Sequence, residues 1–257
     1  MIASHKMQEQ RRLLATMTGE PFQPVRLYYS IPDRLFVVKK LRAIKCMLEV
    51  PPERCWLWLF QDEAAALKFL SGYDAVPQEK RPIVLGRIRF SKNDGMTLQT
   101  NSIPRAIEAA RFFGPRLGPE VIAMRCRVVN RCFAANESKL DELMETLDRD
   151  VTVIDPREAE AAVRREFAGV RTPRDAERAT AEFMERRLKS KEDVPLVEDF
   201  PLVPEEETPE FRELAITLHL RGVRALEHWQ GNTHLTLAAI IVRTVKENMH
   251  RPGNTRT

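Results

Sequence analysis

The chain has 257 residues, of which 43% are hydrophobic and 30% are charged. This composition is typical of a globular protein with a hydrophobic core and excludes the disordered and membrane classes. The longest strongly apolar stretch, residues 235–242, is far shorter than the roughly 20 residues that span a bilayer. The N-terminus lacks the apolar stretch of a secretory signal. We therefore expect no membrane segment and a cytoplasmic location.

Positive charge is concentrated in the first half of the chain. Residues 1–135 contain 22 Lys and Arg against 12 Asp and Glu, whereas residues 136–257 contain 19 against 25. Such asymmetry is typical of a protein whose basic half binds nucleic acid or an acidic partner. It is equally compatible with attraction between the two halves of the chain.

The first half alternates β-branched and aromatic stretches with helical patterns and turn signals. This order predicts an α+β fold in which helices cover one face of a largely antiparallel sheet. A ferredoxin-like core is one arrangement that fits residues 25–90. The predicted strands are residues 25–31, 46–50, 55–60, 83–90, 96–100 and 121–133, and the predicted helices are residues 32–44, 62–70 and 104–113.

Strand signals almost vanish after residue 136, and helical patterns replace them. Residues 191–207 combine three prolines with acidic side chains and no helical period, which predicts an extended acidic linker. The predicted organisation is a polar lead-in at 1–20, a basic α+β domain at 21–135, a helical region at 136–190, the acidic linker at 191–207, a helical hairpin at 208–250 and a tail at 251–257.

The alternation within two predicted strands carries the main functional signal. Successive side chains leave a strand on opposite faces, so residues of one parity share a face. In residues 121–133 the even positions, among them Met124, Cys126 and Val128, are mostly apolar. We expect Cys126 and Val128 to be buried, together with Val84 and Ile88 of residues 83–90. The opposite face then carries arginines. We predict a binding surface formed by Arg26, Tyr28, Arg87, Arg89, Arg125, Arg127 and Arg131.

An antiparallel sheet that exposes arginines and an aromatic ring has the chemistry of many RNA-binding sheets. The prediction is a non-catalytic protein that binds single-stranded nucleic acid, with RNA preferred, within a larger complex. One alternative is an interaction or scaffolding subunit that docks an acidic protein, and a second is an enzyme of unrecognised class. Acidic residues of the same chain, above all Glu198-Asp199 and residues 205–207, could also cover the arginines.

No pattern in the sequence indicates catalysis or a cofactor. Phosphate-binding glycine loops, metalloprotease helices and nucleophile elbows are all missing from the sequence. The cysteine pairs Cys46/Cys55 and Cys126/Cys132 do not have the short spacing of common zinc sites. We therefore expect free buried thiols, no catalytic residue, no metal and no cofactor.

Overall fold

The computed structural model describes residues 12–91, 95–137, 139–155, 157–158, 161, 164–165, 168–189, 194–202 and 211–249. Its strands are β1 Val25–Ser30, β2 Met47–Val50, β3 Cys55–Leu59, β4 Val84–Phe90, β5 Gly95–Thr100, β6 Ile122–Val129, β7 Val151–Val153 and β8 Val197–Pro201. Within the described residues these strands form one sheet in the order β2-β3-β4-β5-β1-β6-β8-β7. All neighbours are antiparallel except β7 and β8.

Short polar side chains cap the helices that begin at Arg34 and Ile103. Asp33 accepts a hydrogen bond from the Phe36 backbone N–H at 3.0 Å, and Ser102 accepts one from the Arg105 backbone N–H at 3.3 Å. The helices are α1 Arg34–Arg42, α2 Ile103–Leu117, α3 Leu140–Glu145, α4 Pro173–Lys189, α5 Phe211–Trp229 and α6 Leu237–Met249. The predicted α+β class is confirmed.

The main core lies between one face of the sheet and helices α1, α2 and α5. Trp58 is fully buried in it and packs against Phe112 and Phe113 of α2, with ring centroids 5.3 and 5.2 Å apart. Cys126 and Val128 of β6 and Ile88 of β4 point into the same core, which confirms the predicted burial of these three residues. We call this face of the sheet the helix side.

A second, smaller core covers one end of the opposite face. It contains Leu143 of α3 and Leu147 of the 3-10 turn Thr146–Asp148, packed on Val129 and Val197 of the sheet. The same core includes Phe22 and Phe133, whose rings meet edge to face. The opposite face is therefore covered where β6 and β8 meet α3. The remainder carries polar side chains on β1, β4 and β5 and the apolar Leu48 and Leu57 at the β2-β3 edge.

Two β-bulges change the predicted register. Between β3 and β4, Trp58 pairs with Gly86 and Leu59 with Val84, so Leu85 is an extra residue on β4. Val84 therefore leaves the helix side and is exposed, and its predicted burial is wrong. A second bulge between β1 and β6 places Met124 outside the pairing, and its side chain is exposed as well.

The acidic segment is part of the sheet rather than a linker. Residues 197–201 form β8, which pairs with β6 on one side and β7 on the other. Its apolar Val197 and Phe200 are buried, which explains why the segment folds onto the sheet despite its charge. The rest of the predicted linker at 191–193 and 203–207, most of the predicted lead-in (1–11) and the predicted tail at 251–257 lie outside the described residues.

Each helix that the structure describes is too short or too polar to cross a membrane.

Candidate functional site

The predicted arginine surface forms two rows across the uncovered face of the sheet. Strand pairing aligns an inner row that contains Arg87, Gln99, Arg26, Arg127 and Asp199. An outer row contains Arg89, Thr97, Tyr28 and Arg125. We call these nine residues the arginine face. The predicted placement of Arg26, Tyr28, Arg87, Arg89, Arg125 and Arg127 on one face is confirmed by this register.

Two aspartates from the second half of the chain neutralise the β6 end of the arginine face. Asp199 of β8 is fully buried, and its Oδ2 lies 2.9 Å from Arg125 Nη1 and 2.8 Å from Arg127 Nη2. Asp148 Oδ1 lies 2.7 Å from Arg26 Nη1 and 2.9 Å from Arg127 Nη1. Three guanidinium groups thus share two carboxylates, and this end keeps a net positive charge of only one.

The adjacent acids Glu198 and Asp199 serve opposite sides of the sheet. Asp199 reaches the arginines, whereas Glu198 Oε2 accepts hydrogen bonds from Arg221 Nε of α5 at 2.6 Å and from Asn130 Nδ2 at 2.7 Å. This is the consequence of strand alternation, since neighbouring side chains point in opposite directions. Strand β8 therefore joins the sheet to α5 on one side and to the arginine face on the other.

The pKa shifts at this end follow from the same contacts. Hydrogen bonding from Arg26 lowers the pKa of Asp148 below its ordinary value, and Arg127 adds to the effect. Burial lowers the pKa of Arg26, but its hydrogen bonds to Asp148 and Tyr28 outweigh burial and raise the pKa overall. Asp148 and Arg26 are therefore both charged at neutral pH.

The β4 end of the arginine face is more open. Arg89 is exposed and forms no ion pair with any described residue. Arg87 Nη2 approaches Glu53 Oε2 at 3.8 Å, which is a loose contact between two side chains that are each about half exposed, at 42% and 52%. An exposed pair of this kind is screened by water and contributes little to stability, so both arginines can engage an external anion.

Tyr28 packs against the arginines of the β6 end. The guanidinium carbon of Arg125 lies 4.0 Å from the centroid of the Tyr28 ring, and that of Arg127 lies 5.3 Å from it. Arg26 Nη1 reaches the Tyr28 hydroxyl at 3.5 Å. Stacking of this kind holds the ring and the Arg125 guanidinium as a flat, cationic surface on which a planar ligand could stack.

Arg131 does not belong to the arginine face. Strand β6 ends at Val129, so the alternation that predicted Arg131 no longer applies. Its guanidinium pairs with Glu137 and lies over the Phe133 ring, 4.4 Å from the centroid. Its inclusion in the predicted surface was wrong for this reason.

The sequence prediction missed Gln99 and Asp148. Gln99 Oε1 accepts hydrogen bonds from Arg26 Nε at 3.0 Å and Arg26 Nη2 at 2.9 Å. The parity of β5 could have identified Gln99, because it shares parity with Thr97. Asp148 follows a short helix and bears no local signal that directs it to β1. Asp199 was identified as an acid that could cover the arginines, and it occupies that position.

Among the described residues, no three His, Cys, Asp or Glu side chains converge in an arrangement that could hold a metal ion. The four cysteines are free and buried.

Comparisons with known proteins give no further assignment: the chain matches no protein-family model, no curated protein and no solved structure.

Proposed function

We propose that the arginine face binds single-stranded nucleic acid, with RNA as the expected form, and that the chain acts as a non-catalytic binding subunit. One observation carries the proposal. Arg87 and Arg89 are accessible on the same open face as the Tyr28–Arg125 stack, with Thr97 between Arg89 and Tyr28. Cationic groups beside a stacking surface can engage both the phosphates and the bases of an unpaired strand.

The arginines divide into two roles in this proposal. Arg26 and Arg127 are already paired with Asp148 and Asp199, so they hold the surface in shape. Arg87 and Arg89 contact phosphates, since their charges are the least neutralised. Arg125 is still 39% exposed although it pairs with Asp199, and together with Tyr28 it stacks on a base.

The spatial order of the strands supports a ferredoxin-like arrangement at the centre of the sheet. Strands β4, β5, β1 and β6 are neighbours, and α1 and α2 provide the connections on either side of the β4-β5 pair. Hairpin β2-β3 is then an insertion, and β7 and β8 extend the edge.

A binding titration with two matched double variants tests the proposal. Arg87→Ala/Arg89→Ala removes two charges from the arginine face. Arg42→Ala/Arg111→Ala removes two exposed charges from helices on the helix side, where each is paired with a glutamate. We expect the first variant to reduce the slope of log affinity against log salt by about 1.4, at roughly 0.7 per phosphate contact on single strands. The control should leave that slope unchanged.

The probe is a single-stranded RNA of mixed sequence, measured beside the DNA strand of the same sequence. Equal effects of the two double variants would show that only net charge matters and would overturn the proposed site. Failure of the parent protein to bind either strand would overturn nucleic-acid binding. If an acidic protein then bound through Arg87 and Arg89, the face would be a protein-docking surface instead.

A further inference from the structure

A cleft of about 530 Å³ opens beside the arginine face. Its walls come from the N-terminal segment before β1, from the start of β4 and from α3. This volume lies within the range of about 300–1,000 Å³ that small-molecule sites occupy. Its lining includes Met17, Lys80, Val84, Arg105, Ala135 and Leu140.

Apolar side chains that would ordinarily be buried stand exposed around this cleft. Met17 is 52% exposed, Val84 40% and Leu140 52%. These three residues come from separate parts of the chain, yet all of them line the same recess. A cluster of exposed large hydrophobic groups around a concave surface is typical of a binding site rather than of ordinary surface.

The cleft also has a positively charged part. Lys80 stands at its exposed rim, and Arg105 lies in its wall with only 2% of its surface exposed. Arg105 Nη2 donates to Thr18 Oγ1 at 2.8 Å and Nη1 donates to the Val84 carbonyl oxygen at 3.1 Å. Its Nε has no hydrogen-bond partner among the described residues. Because this Nε is itself enclosed by protein, the Arg105 charge acts on the cleft from within its wall and not by direct contact.

Glu20 does not fully compensate Arg105. Its Oε2 lies 3.7 Å from Arg105 Nε, which is too long for a hydrogen bond, and the same oxygen already accepts bonds from Thr16 and Thr18. Burial lowers the pKa of Arg105, and the Glu20 charge opposes that shift. With Lys80 included, the polar part of the cleft carries a net positive charge.

We propose that this cleft binds a small amphipathic anion, with its apolar body on Met17, Val84 and Leu140 and its single anionic head at the exposed Lys80. The ligand class is an organic acid with an aromatic or branched aliphatic body. The proposal is independent of nucleic-acid binding, because none of the cleft residues that carry it belongs to the arginine face.

Two fluorescent probes of similar shape and different charge test the proposal on the full chain. Anilinonaphthalene sulfonate has an apolar body with one anionic head, and N-phenylnaphthylamine has a closely similar body without charge. We expect the anionic probe to bind one site per chain. Lys80→Met should weaken it about threefold, which is the scale of one exposed charge contact, and should leave the neutral probe unaffected. Lys39→Met, at an exposed position of α1, is the control and should change the binding of neither probe.

Two further variants locate the probe. Ala135→Trp places a large ring in the cleft and should reduce binding of both probes at least tenfold. Arg87→Ala/Arg89→Ala should leave the anionic probe unchanged, since its site is not the arginine face. Equal affinity of the two probes, or binding that survives Ala135→Trp in a folded protein, would overturn the proposal. Should Ala135→Trp fail to fold, an unchanged affinity in Lys80→Met would overturn it independently.

Discussion

The β6 end and the β4 end of the arginine face have the same strand pattern and different electrostatics. Arg125 and Arg127 alternate with buried residues just as Arg87 and Arg89 do. Asp199 of β8 and Asp148 of the 3-10 turn neutralise the first pair, whereas the second pair meets only the loose contact with Glu53. The comparison teaches that alternation decides which face an arginine occupies, and that a distant segment decides whether its charge remains available.

The position of β8 explains why only one end is neutralised. Strand β8 pairs directly with β6 and lies four strands away from β4 in the sheet order. A carboxylate on β8 therefore reaches its immediate neighbour and not β4. Coulomb interactions across the remaining distance are screened by water over the exposed face. The open end is open because the second half of the chain adds its strands at the opposite edge.

Thiol labelling tests the register on which this comparison rests. Cys126 lies between Arg125 and Arg127 and faces the helix side, where it is fully buried. Burial raises its pKa well above the ordinary value for cysteine, so the reactive thiolate is scarce while the core is closed. We expect Cys126 in the native protein to react more than about a thousandfold slower than in denaturant, because exposure requires opening of the core.

A Cys126→Ala variant assigns the signal. The other cysteines are also buried, and burial raises the pKa of Cys46 to about 12 and that of Cys132 to about 11. Native parent protein and variant should therefore show the same absence of fast labelling. A fast phase that disappears in Cys126→Ala would place Cys126 on the open face and the arginines on the helix side.

Removal of the buried carboxylate sharpens the comparison. Asp199→Asn leaves Arg125 and Arg127 without the charge that they share. Breaking a buried pair from one side typically costs about 3–5 kcal/mol, and because both arginines retain some exposure we expect about 3 kcal/mol. Asp148→Asn is the matched control, since Asp148 is 55% exposed, and it should cost less than about 1 kcal/mol. Urea unfolding of both variants and the parent measures the difference.

Equal costs for the two aspartate variants would contradict the distinction between a buried and an exposed neutralising group. Point substitution is also the correct way to release the arginines. Deleting the acidic segment would remove β8 and with it the pairing to β6 and β7, so loss of folding would be confused with gain of charge.

Local patterns predicted the parts of the fold that depend on neighbouring residues. Hydrophobic alternation placed six of the seven predicted surface residues on one face. The bulges escaped this reasoning. An extra residue inverts all side chains beyond it, so Val84 and Met124 were assigned to the wrong side. At Gly86 an added Cβ would lie 3.1 Å from the Gln99 carbonyl oxygen, a close approach that favours glycine there.

Long-range pairing was outside the reach of the same reasoning. The segment around β8 looks like a linker because its acids and prolines dominate its composition. Its strand is stabilised by partners about 70 residues away, including Arg125 and Arg127. Opposite charges within one chain indicate that the halves can attract each other, but charge alone does not specify a register. The apolar residues Val197 and Phe200, buried on the sheet, provide that specificity.

The pH dependence of stability gives the smallest expected effect and distinguishes the two neutralising groups further. Hydrogen bonding from Arg26 lowers the pKa of Asp148 in the folded protein. The Asp148 carboxylate therefore binds a proton less tightly in the folded state than in the unfolded state. The resulting stabilisation is fully present above the unfolded pKa of about 3.9. It is lost as the pH falls through the lower folded pKa. Because Asp148 is 55% exposed, we expect less than about 1 kcal/mol.

The measurement is the free energy of unfolding of the parent and Asp148→Asn between about pH 6 and about pH 3, across the titration range of aspartate. The difference between the two proteins should be largest near neutral pH and shrink on acidification, because a protonated Asp148 resembles asparagine in charge. Added salt should also reduce it, since the pair is exposed. Glu79→Gln, at an exposed residue without a described ion pair, should show no such trend. A difference independent of both pH and salt would show that Asp148 stabilises the fold through packing and not through its charge.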